Sequence, residues 1–345
     1  MRSRSTVASV LVFPFCSAPG PPPRAASSEV RRLTRSSPQV SFGMLVKNGA
    51  RFLRACLESV SALCDEMIVV DTGSQDESKE IARSFAATVI DVPWTDDFAA
   101  ARNIYVERAR GDWILSLDAD ETLGRLSKAA LTDAIARRPG TAFVFDIRNY
   151  FLENDVQFFV LPSRIRSDAP VGTRCVISRT VRLFPRRRGL RYTYPLHESL
   201  LPGITRTGTR IGRCSVPIHH MGGLYRRENG HEKTALYASL GRKKIAQYPE
   251  YFLGYLELGQ VCLEEGDLDE AAQLFTRALA LRSGCLEAEC YLALVLLRRG
   301  HYDRCRLQLE TAMRRAPTNA DLRHVLGLLT TAESAPRLRV AAETA

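Results

Sequence analysis

The chain has 345 residues, 45% hydrophobic and 25% charged, enough for one large α/β domain plus a smaller unit of ordinary globular composition. Half of its +10 formal charge comes from residues 1–40, where six arginines (2, 4, 24, 31, 32 and 35) face one acid, Glu29, and no basic array interleaved with aromatics follows; that argues against a nucleic-acid partner. Nine scattered cysteines form no C-x-x-C pair and no zinc spacing, which reads as reduced thiols of a cytoplasmic protein, and no apolar run of about 18 residues offers a transmembrane segment.

Residues 1–39 are rich in Ser, Pro and Arg, without periodicity, and are expected to be a disordered leader. Val7–Phe15 follows two arginines as a signal-peptide core would, but Pro14 interrupts it and Pro19-Gly-Pro-Pro-Pro23 replaces a cleavage site. A leader upstream of a start near Met44 fits better.

From Val40 the chain alternates strand and helix. Val40–Val46 reads as a strand ended by Lys47-Asn48-Gly49, with Asn48 placed to cap a helix whose Phe52, Leu53, Cys56, Leu57 and Val60 share a face. Glu66–Val70 is a second buried strand, closing in Asp71-Thr-Gly-Ser74. Ser74 and Glu77 then predict a capping box opening the next helix. Thr88–Val92 is a third strand, and Asp96-Asp97 leads into a helix carrying Arg102 and Asn103. Trp113–Leu117 is apolar on both faces, as in a parallel sheet, and Asp118, Asp120 and Glu121 appear where it ends. Strands and helices in this alternation predict a doubly wound α/β sheet.

Carboxylates at the carboxyl edge of such a sheet lie where it binds ligands. Asp118 and Asp120 are two apart, so an extended backbone would send both to one side, as hard oxygen donors for Mg²⁺ or Mn²⁺. An EF-hand is excluded, because Leu123 takes the glycine position and Ala129 the last ligand position. Asp71 is placed to accept from a base or ribose, Gly73 to allow close backbone approach, and the Arg102 fork to meet a diphosphate. Taken singly, Asp71 also reads as a turn former, Arg102 as a surface ion pair and Asn103 as a polar residue inside a helix.

Thr141–Phe151 and Arg174–Phe184 read as strands of the acceptor side. Two motifs stand out in a chain with six histidines: Pro195-Leu-His197-Glu198-Ser199 and Ile218-His-His220-Met-Gly-Gly223. The run Arg186-Arg-Arg188 with Arg191 reads as a solvated hairpin tip, or as a contact for an anionic acceptor. Beyond Gly223 the pattern is helical: a connecting helix over 224–250, repeats over 251–332 and a flexible tail over 333–345. Leu258-Gly259, Leu292-Ala293 and Leu326-Gly327 recur every 34 residues, as do Ala278 and Ala312. That period is the tetratricopeptide one, and such stacks present a concave face to protein partners.

Met44-Leu-Val-Lys-Asn48, Val69-Val-Asp-Thr-Gly-Ser-Gln-Asp76, Asp97-Phe-Ala-Ala-Ala-Arg-Asn103 and Leu117-Asp-Ala-Asp-Glu121, in this order, resemble the blocks of family 2 glycosyltransferases of GT-A fold. Within that family the chain is similar to the bacterial group with tetratricopeptide repeats after the transferase domain, here residues 40–223. The resemblance implies a metal-dependent, inverting transfer from a nucleotide-sugar donor, UDP-linked in preference, to a glycan, lipid-linked or peptide acceptor. It implies a nucleotide-sugar pocket from Lys47, Asn48, Asp71, Gly73, Ser74, Asp76, Arg102, Asn103 and Asp118. A divalent Mn²⁺ or Mg²⁺ would sit on Asp118, Asp120 and His220, with Glu198 and His197 at the acceptor. The expected location is cytoplasmic, including the inner face of the membrane. The family usually carries two acids where this chain has Gly49-Ala50. The rival reading is a decayed transferase serving as a repeat scaffold.

Overall fold

A computed structural model describes residues 38–152, 165–166, 169–228 and 230–334; most of the expected leader and tail lie outside these. The described chain divides into two compact units, the sheet domain and the helices after residue 229.

The sheet domain opens as the hydrophobic pattern requires. Strands β1 (Val40–Val46), β2 (Glu66–Asp71), β3 (Thr88–Asp91) and β4 (Trp113–Ser116) alternate with helices α1 (Ala50–Ser61), α2 (Ser78–Ser84) and α3 (Phe98–Arg108). They pair in parallel in the order β3-β2-β1-β4. Alternate residues of β1 explain the two layers. Phe42, Met44 and Val46 join Leu53, Leu57 and Val60 of α1 in one core. Ile68 and Val70 of β2 join Ala99 and Tyr105 of α3 in another, on the opposite side. A Cβ on Gly43 would collide with the Tyr105 ring, so this glycine is what lets α3 lie directly on β1.

After β4 the sheet becomes mixed rather than continuing in parallel. The next elements are β5 (Glu121–Leu123), α4 (Lys128–Arg137), β6 (Thr141–Leu152), β7 (Ile165–Arg166) and β8 (Thr173–Pro185). Then come α5 (Leu201–Thr207), β9 (Arg210–Arg213) and β10 (Ile218–His220), with a kinked 3₁₀ segment over Gly222–Glu228. β8 runs antiparallel to both β4 and β6, β10 and β9 lie parallel to β6, and β5 closes antiparallel on β10. This extension brings β10 back to the residues that follow β4.

The capping box at Ser74 does not form. Asp71 Oδ1 accepts from the amides of Gly73 and Ser74 at 2.9 and 2.8 Å, and α2 starts at Ser78, whose amide donates to Asp76 Oδ1. A carboxylate three residues upstream thus holds the Ser74 amide that the box would give to Glu77. Asn48 likewise does not cap α1. It sits at φ 52° and its side chain accepts from the Gln75 amide, while Gly49 takes the cap position.

The second unit comprises α6 (Gly230–Gln247), α7 (Phe252–Glu265), α8 (Leu268–Leu281), α9 (Leu286–Arg298), α10 (Tyr302–Arg315) and α11 (Ala320–Ser334). Its small residues are explained by packing: a Cβ on Gly259 would lie 2.7 Å from the Phe275 ring, which stacks on Tyr291 with centroids 5.4 Å apart. Gly266 and Gly300, one period apart, end helices or turns at φ 89° and 75°. Phe275 is fully buried, so Phe275→Ala is expected to cost the repeats about 3–5 kcal/mol. Faster amide exchange across α7–α9 would report that loss, and unchanged exchange would remove Phe275 from the core.

Candidate active site

The carboxyl edge of the four parallel strands gathers the expected residues, and each loop there has a reason for its shape. The β1–α1 and β2–α2 loops are tied together: the Asn48 amide donates to Ser74 Oγ, the Gly49 amide to Ser78 Oγ and the Ala50 amide to Asp76 Oδ2, at 2.8–2.9 Å. Asn48, Ser74 and Asp76 therefore hold the rim in shape, with Lys47 exposed beside them. Asp71 lies at the floor, fully buried, and its Oδ2 has no hydrogen-bond partner. A buried carboxylate oxygen with nothing to accept is costly and suits an incoming N–H or O–H donor. Gly73 reaches φ 101° with open space around it, so backbone conformation rather than crowding selects glycine there.

The D-x-D is a turn and not an extended segment. The Glu121 amide donates to the Asp118 carbonyl at 3.0 Å, and Glu121 Oε2 accepts from the Asp118 amide at 3.0 Å. The two aspartates take different partners. Asp118 Oδ1 accepts from Arg102 Nη2, and Oδ2 from Arg182 Nη2 at 2.8 Å. Arg102 Nε also donates to Glu198 Oε1, and Arg182 Nη2 to Glu121 Oε1 at 2.6 Å. The result is an alternating chain Glu198–Arg102–Asp118–Arg182–Glu121, with both arginines and Glu121 buried. Burial would raise the Asp118 pKa, but the two guanidiniums hold it well below the usual carboxylate range. Burial prevails at Glu121, whose carboxyl is pushed up to about 7 despite Arg182.

Asp120 instead meets His220. Their Oδ2 and Nε2 are 3.1 Å apart, and His220 Nδ1 is 2.8 Å from Asn149 Oδ1. The Asn149 amide nitrogen donates to the carbonyls of Ile147 and Val176 and to Ser178 Oγ, so Oδ1 is the acceptor and His220 Nδ1 carries the proton. Nε2 is thereby left to face Asp120. Burial alone would lower the His220 pKa, but the Asp120 carboxylate lifts it to about 9. A Cβ on Gly222 would collide with Asp120 Oδ2 and lie 3.0 Å from His220 Nε2, so glycine keeps this corner open.

These donors fit a divalent cation at Asp120 and His220. A carboxylate and an imidazole of fixed tautomer meet in a space that a methyl group would fill. Asp118 does not complete the set, because both its oxygens are committed to arginines. Among the described residues no three His, Cys, Asp or Glu side chains stand ready around one ion. His219 takes no part: its Nδ1 lies 2.9 Å from the Tyr150 hydroxyl, against whose ring it stacks.

On the acceptor side, Thr193 and Ser199 exchange backbone hydrogen bonds at 3.0 and 2.9 Å, closing a loop in which Tyr194 and His197 adopt φ 82° and 49°. Two non-glycine residues in the left-handed region mark a loop held by its surroundings, and it delivers Glu198 to Arg102. Asn103, expected at the nucleotide, instead has both amide atoms on the Tyr192 backbone, at 3.0 and 2.9 Å. Arg186 lies beyond the end of β8 that pairs with Trp113, at the sheet edge opposite Asp118. Arg182 and Asn149 were missed from sequence. The one signal was a polar residue inside an apolar strand, Val181-Arg-Leu183 and Ile147-Arg-Asn-Tyr150.

The profile described as "Glycosyl transferase family 2" matches residues 41–223, and a tetratricopeptide repeat profile matches residues 263–329. A TPR repeat-containing protein of Synechococcus elongatus is 31% identical over 248 residues, 70% of this chain and 56% of that protein. The glycosyltransferase SunS of Bacillus subtilis is 34% identical over 101 residues, 27% of this chain and 24% of that protein. The chain thus spans about half the length of the first relative and a quarter of the second. Among solved structures, residues 1–349 of S. aureus TarS superpose with a TM-score of 0.43 at 13% identity, over 86% of this chain and 90% of that one.

Proposed function

The chain belongs to glycosyl transferase family 2, with tetratricopeptide repeats after its transferase domain, and on that premise we propose a metal-dependent, inverting transfer from a nucleotide-sugar donor, UDP-linked in preference. The observation that carries the reading is the carboxyl edge itself, where a buried, unpartnered Asp71 oxygen and the D-x-D turn flank the β1–α1 loop: the Asn48 amide of that loop donates to Ser74 Oγ, and a Cβ on Gly49 would be 3.1 Å from that of Ala119.

In this reading Asp71 Oδ2 accepts from the base, and the tied loops of Lys47, Asn48, Gly73, Ser74 and Asp76 shape the pocket around it. Asp118, kept ionised by two arginines, faces the ribose. Arg102 Nη1, which has no acceptor of its own, serves a donor phosphate. Asp120 and His220 would hold Mn²⁺ or Mg²⁺, which when bound neutralises the departing diphosphate. Glu198 takes the proton of the acceptor nucleophile as it attacks the anomeric carbon, and His197 orients that acceptor. The electron pair of the broken glycosidic bond leaves with the diphosphate. The acceptor is a glycan, a lipid-linked sugar or a peptide, and the repeats offer a protein-binding face. No helix among the described residues is long and apolar enough to cross a membrane; a cytoplasmic site of action belongs to the same proposal.

The proton on His220 competes with the cation, which sets the pH dependence. Its pKa is raised from 6.5 to about 9. The His220–Asp120 pair therefore stabilises the metal-free fold fully below about pH 6.5, and that contribution is lost as pH rises through about 9. Metal binding runs the other way: Mn²⁺-dependent donor affinity is expected to rise about tenfold from about pH 7 to about pH 8. Calorimetric titrations at both values test this; a pH-independent affinity would exclude His220 as a ligand, and His220→Gln is expected to flatten the profile.

A further inference from the structure

The sheet edge opposite the candidate site carries a concentration of arginines that no step above uses. Residues 138, 186, 187, 188, 206 and 210 are all exposed arginines, and among the described residues none forms an ion pair with an acid. They come from three stretches that the topology brings together. Arg138 precedes β6, Arg186–Arg188 follow β8, and Arg206 and Arg210 flank the α5–β9 turn. Thr141 of β6 pairs with Arg210 of β9, and Pro185 of β8 with Trp113 of β4, so all three stretches lie at the amino-terminal edge of the parallel strands.

Local contacts join them into one surface. The Arg187 guanidinium lies so close over Gly140 that a Cβ there would collide with it. Arg210 Nη2 donates to the Pro139 carbonyl at 3.2 Å and Arg206 Nη2 to the Gly189 carbonyl at 2.9 Å. A Cβ on Gly212 would lie 3.3 Å from Arg138 Nη1. Two of the nearby acids are held by other arginines: Asp146 by Arg179 and Arg213, and Asp133 by Arg137. Clustered exposed cations repel one another at some cost in stability, and an anionic surface set against them would relieve that cost.

Two features select the partner. Ile211, an aliphatic side chain 40% exposed, stands between Arg210 and Arg213, and the large aromatics of this region, Phe184 and Tyr192, are buried. Nucleic-acid surfaces interleave cations with exposed rings on which bases stack. Cations around an exposed aliphatic side chain suit the headgroup region of an anionic bilayer. We propose that this edge docks the transferase domain on an anionic phospholipid surface, with the candidate site at the far edge of the sheet turned away from the bilayer. The inference rests on the arginine edge alone and does not require the proposed transfer.

The test is sedimentation of the full chain with vesicles of phosphatidylcholine, with and without about 30% phosphatidylglycerol. The comparison is between the wild type, a variant with Arg138, Arg187, Arg188 and Arg210 all changed to Gln, and a control with Arg299, Arg304, Arg314 and Arg323 of the repeats changed to Gln. Every protein keeps the basic residues 1–40. Near-surface arginines contribute about fivefold each, so the edge variant is expected to lose at least about a hundredfold in partitioning to anionic vesicles, and the control less than about tenfold. Wild-type binding should vanish without phosphatidylglycerol and weaken steeply above about 0.3 M salt. Should the four-site variant not fold, as circular dichroism would reveal, Arg187→Gln with Arg188→Gln still predicts a loss of about twentyfold. Absence of wild-type binding, binding unchanged in the edge variant, or edge-dependent binding to a single-stranded oligonucleotide in place of vesicles would each overturn the proposal.

Discussion

Asp120→Asn is expected to yield a folded protein whose nucleotide-sugar binding no longer responds to Mn²⁺ or Mg²⁺ and whose transfer falls by about three powers of ten, the several kcal/mol that a Lewis acid supplies. The effect is expected to be local because Asp120 meets this site through His220. Its Oδ2 faces His220 Nε2 at 3.1 Å, whereas Asp118 carries the contacts to Arg102 and Arg182. The same substitution should bring the His220 pKa from about 9 back toward 6.5, because the carboxylate that raises it is gone. Imidazole titration by NMR reads this without any substrate. Metal-dependent turnover that survives the change would remove Asp120 from the metal.

The second large effect concerns the acceptor. Glu198→Gln should cut transfer by about two to four powers of ten, as for a lost general base, while leaving donor affinity unchanged. The separation is expected because the amide oxygen of the substituted side chain can still accept from Arg102 Nε, and Arg102 keeps its bond to Asp118. The backbone exchange between Thr193 and Ser199 that presents Glu198 is likewise untouched. Initial rates and donor titrations on one preparation decide it. A fall in donor affinity with turnover preserved would make Glu198 a binding residue.

The parallel half of the sheet was legible because its inner strands are buried on both faces and declare themselves as apolar runs; Val40–Val46 was read with the bounds it has. The repeats were legible because their period is written in small residues such as Gly259, which the Phe275 ring requires. The loops were less so. Ser74 and Glu77 satisfy the local rule for a helix start, yet Asp71 holds the Ser74 amide that the box would give to Glu77. The D-x-D spacing suggested an extended segment, and the chain there is a turn closed by Glu121 whose two aspartates take different partners. Arg182 and Asn149 act only because β8 and β10 pair beside β6. That pairing is set by long-range topology, which leaves no periodic mark in the residues themselves.

The reading stands or falls on whether the carboxyl edge holds a nucleotide sugar. The most direct measurement is a thermal-shift panel of the full chain against UDP-, GDP-, ADP- and dTDP-sugars, each with Mn²⁺ and with EDTA, alongside the Asp120→Asn protein. Ligands that bind only the native state raise its melting temperature. The expected result is a rise with one nucleotide sugar, UDP-linked in preference, that needs the metal and is absent from Asp120→Asn. No rise with any donor in a well-folded sample would contradict the account and favour a scaffold built on a decayed transferase domain.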